Sequence, residues 1–282
     1  MSQPVPEPAT AFARVDIQPD PAGMVAAMDA TAQWPAVRQL REWERQRLAL
    51  KPGDRLLDLG CGAGDVAIQL AADVLPGGAV VGLDASEAML AAGRQRAADT
   101  GVQVEFRQGD ALALDDPDGS FDAARAERAL QWIPGVDGAI AELIRVLRPG
   151  GRLSLIDTDW RTLTIDLPDV ALADAVLRAI FAFRGPSVAV GGRLLNLCRD
   201  AGLRDIEGTC ATHVWSEWDP DSQPAPSGMI PVRPLIERLV ANDVLDAAMG
   251  ERFLEQVLDA ARRDRFYMSL TMVAVIGTRG AG

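Results

Sequence analysis

Leu56-Leu57-Asp58-Leu59-Gly60-Cys61-Gly62-Ala63-Gly64 decides how this chain is read. An apolar run of strand type ends at a glycine. Glycines then alternate before helical spacing resumes at Val66-Ala67-Ile68-Gln69-Leu70. Glycine is needed where a backbone turns sharply from strand into helix and comes close to a ligand. Asp84 follows 20 residues after Gly64 and closes a second strand, Ala79 to Leu83. A carboxylate at that place accepts both hydroxyls of a ribose, so loop and acid together point to an adenosine-type site.

Outward from this stretch the chain alternates. Upstream, Trp34, Val37, Leu40 and Trp43 share one helical face, which stops at Lys51-Pro52-Gly53-Asp54. Downstream, Pro76-Gly77-Gly78 is a turn, and Ser86 is placed to cap a helix from Glu87 to about Ala98. Val102 to Phe106 and Phe121 to Ala126 read as the third and fourth strands. Asp137 is placed to cap a helix carrying Ile140, Leu143, Ile144 and Leu147, ended by Arg148-Pro149-Gly150-Gly151. Arg152 to Ile156 is the fifth strand. Strand and helix in alternation specify a parallel sheet covered on both faces, a Rossmann-like α/β core over residues 51–157.

Beyond the core, Leu172 to Phe183, Gly191 to Ala201 and the runs around Leu235 and Phe253 read as helices. Ile206 to Trp215 and Tyr267 to Thr278 read as strands, and residues 217–231 as a loop. Residues 1–30 are expected to be a flexible lead-in, and residues 31–282 a single domain. Insertions at about 160–187 and 217–265 are expected to cap the carboxyl ends of the strands.

Composition narrows the partners. A formal net charge of −12 with no basic stripe argues against nucleic acid and anionic membrane surfaces. No run is long enough to span a bilayer and no signal-type stretch follows the start, so a cytoplasmic protein is expected, as monomer or homodimer. Cys61, Cys198 and Cys210 are far apart and His213 is the single histidine, which leaves neither a disulfide framework nor a metal cluster.

The cofactor follows from register and charge. The dinucleotide fingerprint is GxGxxG, whereas this loop is GxGxG, with Asp65 where the third glycine would meet a pyrophosphate. S-adenosylmethionine (SAM) has no phosphate and carries a sulfonium and an ammonium, for which nearby acids such as Asp58 are suited. The stretch Asp58 to Gly64 resembles motif I of class I SAM-dependent methyltransferases, and Val80 to Ser86 resembles their second motif. Gln108-Gly109-Asp110-Ala111, Phe121-Asp122-Ala123 with Gln131-Trp132, and Leu147 to Leu153 are similar to later family segments. The resemblance covers residues 30–160 and is closest to the branch of quinone-ring and natural-product methyltransferases. It implies a mostly parallel sheet of about seven strands with helices on both faces and helical cap insertions. It also implies that Gly60, Cys61 and Gly62 pack on the methionine part, with Glu127 at that end. Asp84 would hold the ribose, Ala85 and Met89 would border the adenosine, and Asp110 with Ala111 would border the adenine. The charged Arg125-Ala126-Glu127-Arg128 departs from the family pattern.

The expected activity is methyl transfer to a small, largely apolar or aromatic metabolite, on oxygen, nitrogen or carbon. A SAM-binding protein of other chemistry, such as a cyclase or a regulator, is the alternative, followed by an NAD(P)-dependent oxidoreductase. Candidate bases are His213, which could equally be a packed histidine, and Glu127, which could equally pair with Arg125 or Arg128. Asp157 and Asp159 end the fifth strand, and Asp159 is taken to face the substrate with Gln131, Trp132 and Phe181. Trp34 either lies over the cofactor or fills a helix–sheet contact.

Overall fold

The computed structural model describes Asp16, residues 21–229 and residues 231–281. Helices α1 (Pro21–Ala32) and α2 (Pro35–Leu48) lead into β1 (Arg55–Leu59), α3 (Asp65–Val74), β2 (Ala79–Asp84), α4 (Glu87–Thr100), β3 (Glu105–Gln108) and β4 (Phe121–Glu127). Then follow α5 (Val136–Val146), β5 (Leu147–Ile165), α6 (Val170–Arg184), α7 (Val190–Asp200), β6 (Arg204–Trp215), α8 (Val232–Ala241), α9 (Ala247–Arg262) and β7 (Met268–Thr278). The strands form one seven-stranded sheet in the order β3-β2-β1-β4-β5-β7-β6. β1 to β5 run parallel, and β7 pairs antiparallel with both β5 and β6. The chain therefore has the Rossmann-like α/β fold expected of it. Order reverses between β1 and β4, and the crevice beyond the carboxyl ends of those strands is where such sheets bind ligands.

The apolar strand runs explain the layering. Leu57, Leu59, Val81 and Leu83 face α5 and α7 through Ile140, Leu143 and Leu194, while Leu56 and Val80 face α3 through Val66 and Leu70. Ser86 caps α4, its Oγ accepting the Met89 N–H at 3.2 Å. Asp137 does not cap α5. That helix starts from Gly135 at φ +92°, a left-handed conformation that glycine adopts without strain, and Asp137 lies in its first turn.

The lead-in expected over residues 1–30 falls outside the described residues up to 20, Asp16 excepted, but from Pro21 the chain is helical. Met24, Val25 and Met28 of α1 pack on Ala63 and Met89 beside the glycine loop. The segments at about 160–187 and 217–265 supply α6, α8 and α9, which share one apolar core with α2 and with β5 to β7. Leu40, Val176, Ile236, Leu239, Phe253 and Met272 form its centre. Among the described residues, no helix is long and apolar enough to cross a membrane.

Candidate functional site

The glycine loop is held by its neighbouring strand. The Gly60 and Cys61 N–H groups donate to the Leu83 carbonyl at 2.7 and 3.1 Å. Gly60 and Gly62 have φ +68° and +53°. A Cβ on Gly60 would overlap the Ala129 methyl, and one on Gly62 the terminal methyl of Met28. Both positions thus need glycine for conformation and for space. Cys61 is a buried packing residue, and burial pushes its thiol well up, away from a nucleophile's range. Asp84 reaches back to the loop. Its Oδ2 accepts the Gly62 N–H and its Oδ1 the Ser86 N–H, both at 2.9 Å. Burial raises its carboxyl, against the downward pull of those N–H groups.

The residues expected around the adenosine gather nearby. Met89 is buried against Ala63 and α1, and Ala85 is exposed with its carbonyl accepting from Gln108 Nε2 at 2.9 Å. Asp110 is exposed, its Oδ1 accepting the Leu112 N–H at 2.9 Å, with Ala111 beside it half-buried.

Beneath the loop lies a buried charge cluster. Arg125, 1% exposed, donates to Asp58 at 2.7 Å, Glu127 at 2.8 Å and Glu44 at 3.0 Å. Arg41 from α2 holds both oxygens of Glu127 and pairs with Asp65 at 2.8 Å. A cavity of about 420 Å³ between α1, α2 and α3, lined by Arg41, Glu44 and Asp65 among others, borders the cluster. Burial pushes the Asp58 carboxyl up to about 6 against the pull of Arg125, and its Oδ2 has no hydrogen-bond partner. Burial would also raise Glu127, but Arg41 and Arg125 outweigh it and hold that carboxyl far below the usual range. A carboxylate so firmly held anionic has little affinity for a proton. Glu127 therefore has the setting of a structural anion, not of the base considered for it.

A second group of polar and aromatic side chains gathers around β4 and β5. A turn of 3-10 helix, Leu130–Trp132, presents Gln131. Its N–H donates to Asp157 Oδ2 at 3.1 Å, and its Oε1 accepts from Trp160 Nε1 at 2.6 Å and Arg184 Nη2 at 3.2 Å. The Arg184 guanidinium stacks over Trp160 at 3.8 Å and over Trp132 at 5.0 Å. Burial lowers Arg184 to about 10 and raises Asp157 to about 7, although the Thr158 and Gln131 N–H groups pull Asp157 down.

The fifth strand runs on to Ile165, so the two acids expected at its end lie within β5, and of them Asp157 joins Gln131. Asp159, the one expected to face the substrate, is taken up by Arg161 through two bonds of 2.9 Å. Phe181 packs on the apolar core that α6, α8 and α9 share with α2. His213 lies on the edge strand, stacked on Trp34 at 4.4 Å and edge-on to Trp215 at 4.4 Å, and burial lowers its imidazole. Trp34 fills a helix–sheet contact through that stack. Arg184 escaped the sequence reading because nothing local marks it. Asp157 was marked only by the strand end expected at Ile156, which lies at Ile165 in the structure.

The fold and the loop define a nucleoside-binding protein of the Rossmann-like methyltransferase type. A family model described as a methyltransferase domain matches residues 56–151. An uncharacterized 37.1 kDa protein in transposon TN4556 of Streptomyces fradiae is 33% identical over 89% of this chain and 70% of its own length. The 2-phytyl-1,4-naphtoquinone methyltransferase of Synechococcus elongatus is 42% identical over 42% of this chain, a match spanning 52% of that enzyme. Among solved structures, phosphoethanolamine N-methyltransferase 2 of Haemonchus contortus with bound S-adenosyl-L-methionine aligns at TM-score 0.60, with 18% identity over 100% of this chain and 63% of that one. The [4+2]-cyclase SpnF aligns at 0.52, with 23% identity over 87% of this chain and 82% of that one. Residues 56–151 of this chain are a methyltransferase domain, and the chain is of one family with the Streptomyces protein.

Proposed function

We propose that this chain transfers the methyl group of SAM to a small, planar or largely apolar acceptor. The observation that carries the reading is Asp84. Its carboxylate at the end of β2 is tied to the Gly62 N–H, and each of its oxygens keeps a second lone pair for a ribose hydroxyl. The unbonded Oδ2 of buried Asp58 fits a cationic, phosphate-free ligand. Asp65 at the start of α3, already paired with Arg41, is unsuited to a pyrophosphate.

SAM, when bound, supplies a methyl group on a sulfonium, which an acceptor nucleophile displaces in line. The chain's part is to hold, align and exclude water, and alignment is worth about 7–11 kcal/mol at best. Gly60 to Gly62 bring backbone close to the methionine part, Asp84 holds the ribose, and Ala85, Met89, Asp110 and Ala111 border the adenosine. On the acceptor side, Gln131, Trp132, Trp160 and Arg184 form a planar, polar-edged wall. Asp157, titrating near neutrality, is the carboxylate suited to take a proton from an acceptor hydroxyl. The quinone methyltransferase among the relatives supports a ring-bearing acceptor. The acidic composition and the free cysteines Cys61, Cys198 and Cys210 support a cytoplasmic protein without a nucleic-acid partner.

A cyclase shares the fold, so turnover is the discriminating experiment. Purified protein incubated with SAM and a metabolite extract is expected to form S-adenosylhomocysteine together with a product one methyl group heavier. Binding of SAM without either product would favour the non-methylating reading.

A further inference from the structure

We infer that Arg125 is a positioning residue for the cofactor, and that the cluster it centres is completed electrostatically when cationic SAM binds, with release of a proton. The inference rests on the SAM reading and concerns the segment where this chain departs from the family pattern, Arg125 to Arg128.

The ion pairs join three arginines, Arg41, Arg125 and Arg128, to four acids, Glu44, Asp58, Asp65 and Glu127. Four carboxylates against three guanidiniums leave one negative charge in excess. Two of the acids, Glu44 and Asp58, have side chains 2% exposed, beyond the reach of solvent counter-ions. Among the carboxylate oxygens of the cluster, the Asp58 Oδ2 is buried without a hydrogen-bond partner. The groups facing Asp58 are Arg125 and Glu127 from β4, Glu44 from α2 and Cys61 from the glycine loop. Among them only Arg125 is cationic. Burial, offset by Arg125 and reinforced by Glu44 and Glu127, lets Asp58 keep a proton well above the usual carboxylate range.

Asp58 stands two residues before Gly60, in the strand that delivers the loop. A cation arriving at that loop supplies the missing charge, and Asp58 gives up its proton to solvent. Arg125 fixes the side chain through the 2.7 Å bond to Oδ1, leaving Oδ2 as the unsatisfied acceptor. Its planar fork reaches three acids at once, which a lysine ammonium cannot do in the same geometry.

Titration calorimetry of the full chain with SAM, at pH 5.5 to 8 in two buffers of different ionisation enthalpy, counts the protons. The expected result is release of about half a proton per SAM near pH 6, vanishing by about pH 8, with affinity rising about tenfold for each unit by which binding lowers Asp58. Asp58→Asn should bind SAM with no such release, which separates Asp58 from Asp84. Arg125→Lys should move the release to higher pH. SAM binding at pH 8 without proton exchange at any lower pH overturns the inference. So does release that survives in Asp58→Asn, or an Arg125→Lys variant that loses thermal stability with its proton count unmoved. Absence of any SAM binding defeats the functional reading first, and this inference with it.

Discussion

Asp157→Asn tests the acceptor side most directly. In the folded chain the Asp157 carboxyl is raised from its ordinary 3.8 to about 7. A shift of about three units corresponds to at most about 4 kcal/mol between the protonation states. The folded protein keeps a proton that the unfolded chain releases. Wild-type stability from this group is therefore complete below about pH 4 and is lost as pH rises towards about 7. Asparagine resembles the protonated acid and removes that dependence. It keeps one acceptor oxygen for the Thr158 and Gln131 N–H groups and forfeits the other, a constant cost of about 1–3 kcal/mol. Urea unfolding at pH 5, 6, 7 and 8 should show the variant gaining on wild type with each step and overtaking it by pH 8, where the loss of up to about 4 kcal/mol in wild type exceeds that constant cost. Two stability curves that stay parallel across this range would refute the burial argument. In turnover assays with a hydroxyl acceptor, the same variant should lose about 10²–10⁴-fold in rate together with the wild type's acid limb near neutrality. Full activity would remove Asp157 as a base.

Other substitutions probe the remaining assignments. Asp84→Ala should weaken SAM binding by about 1–3 kcal/mol, the cost of stranding ribose hydroxyls, and unchanged affinity in calorimetry would defeat the ribose assignment. Glu127→Gln should destabilise the fold by about 3–5 kcal/mol, since it leaves Arg41 and Arg125 buried short of a partner, while single-turnover pH dependence stays that of wild type; a lost pH limb would restore Glu127 as a base. His213→Ala should keep the rate of single turnover and lose thermal stability through the stack with Trp34. Arg184→Met should raise KM for the acceptor and leave SAM affinity alone; a matching loss of SAM affinity would place Arg184 on the cofactor.

What the sequence determined by itself was the part whose physics is local. The stretch Arg55–Leu59, with Leu56, Leu57 and Leu59, can only be a buried strand here when Gly60 and Gly62 follow it, because those backbones must take left-handed conformations with no room for a Cβ. Asp84 was legible for the same reason: a strand end one unit away is a place that chain order alone specifies. The alternation of strands and helices carried the fold with them. Boundaries moved where a local signal had a rival, as at α5, where Gly135 and not Asp137 begins the helix.

Only the tertiary structure decided what each acid does. Asp58, Glu127, Asp157 and Asp159 are chemically alike in the chain. The proton affinities of Asp58, Glu127 and Asp157 diverge because burial raises a carboxyl while an adjacent guanidinium lowers it. Those guanidiniums come from far along the sequence: Arg41 from α2 reaches Glu127, and Arg184 from α6 reaches Gln131 beside Asp157. No spacing rule places them. His213 was likewise set apart by packing, since the α1–α2 turn brings Trp34 onto its ring at the sheet edge. Local backbone demands are written in neighbouring residues, whereas the balance of charge in a buried site is summed over elements that meet only when the chain folds.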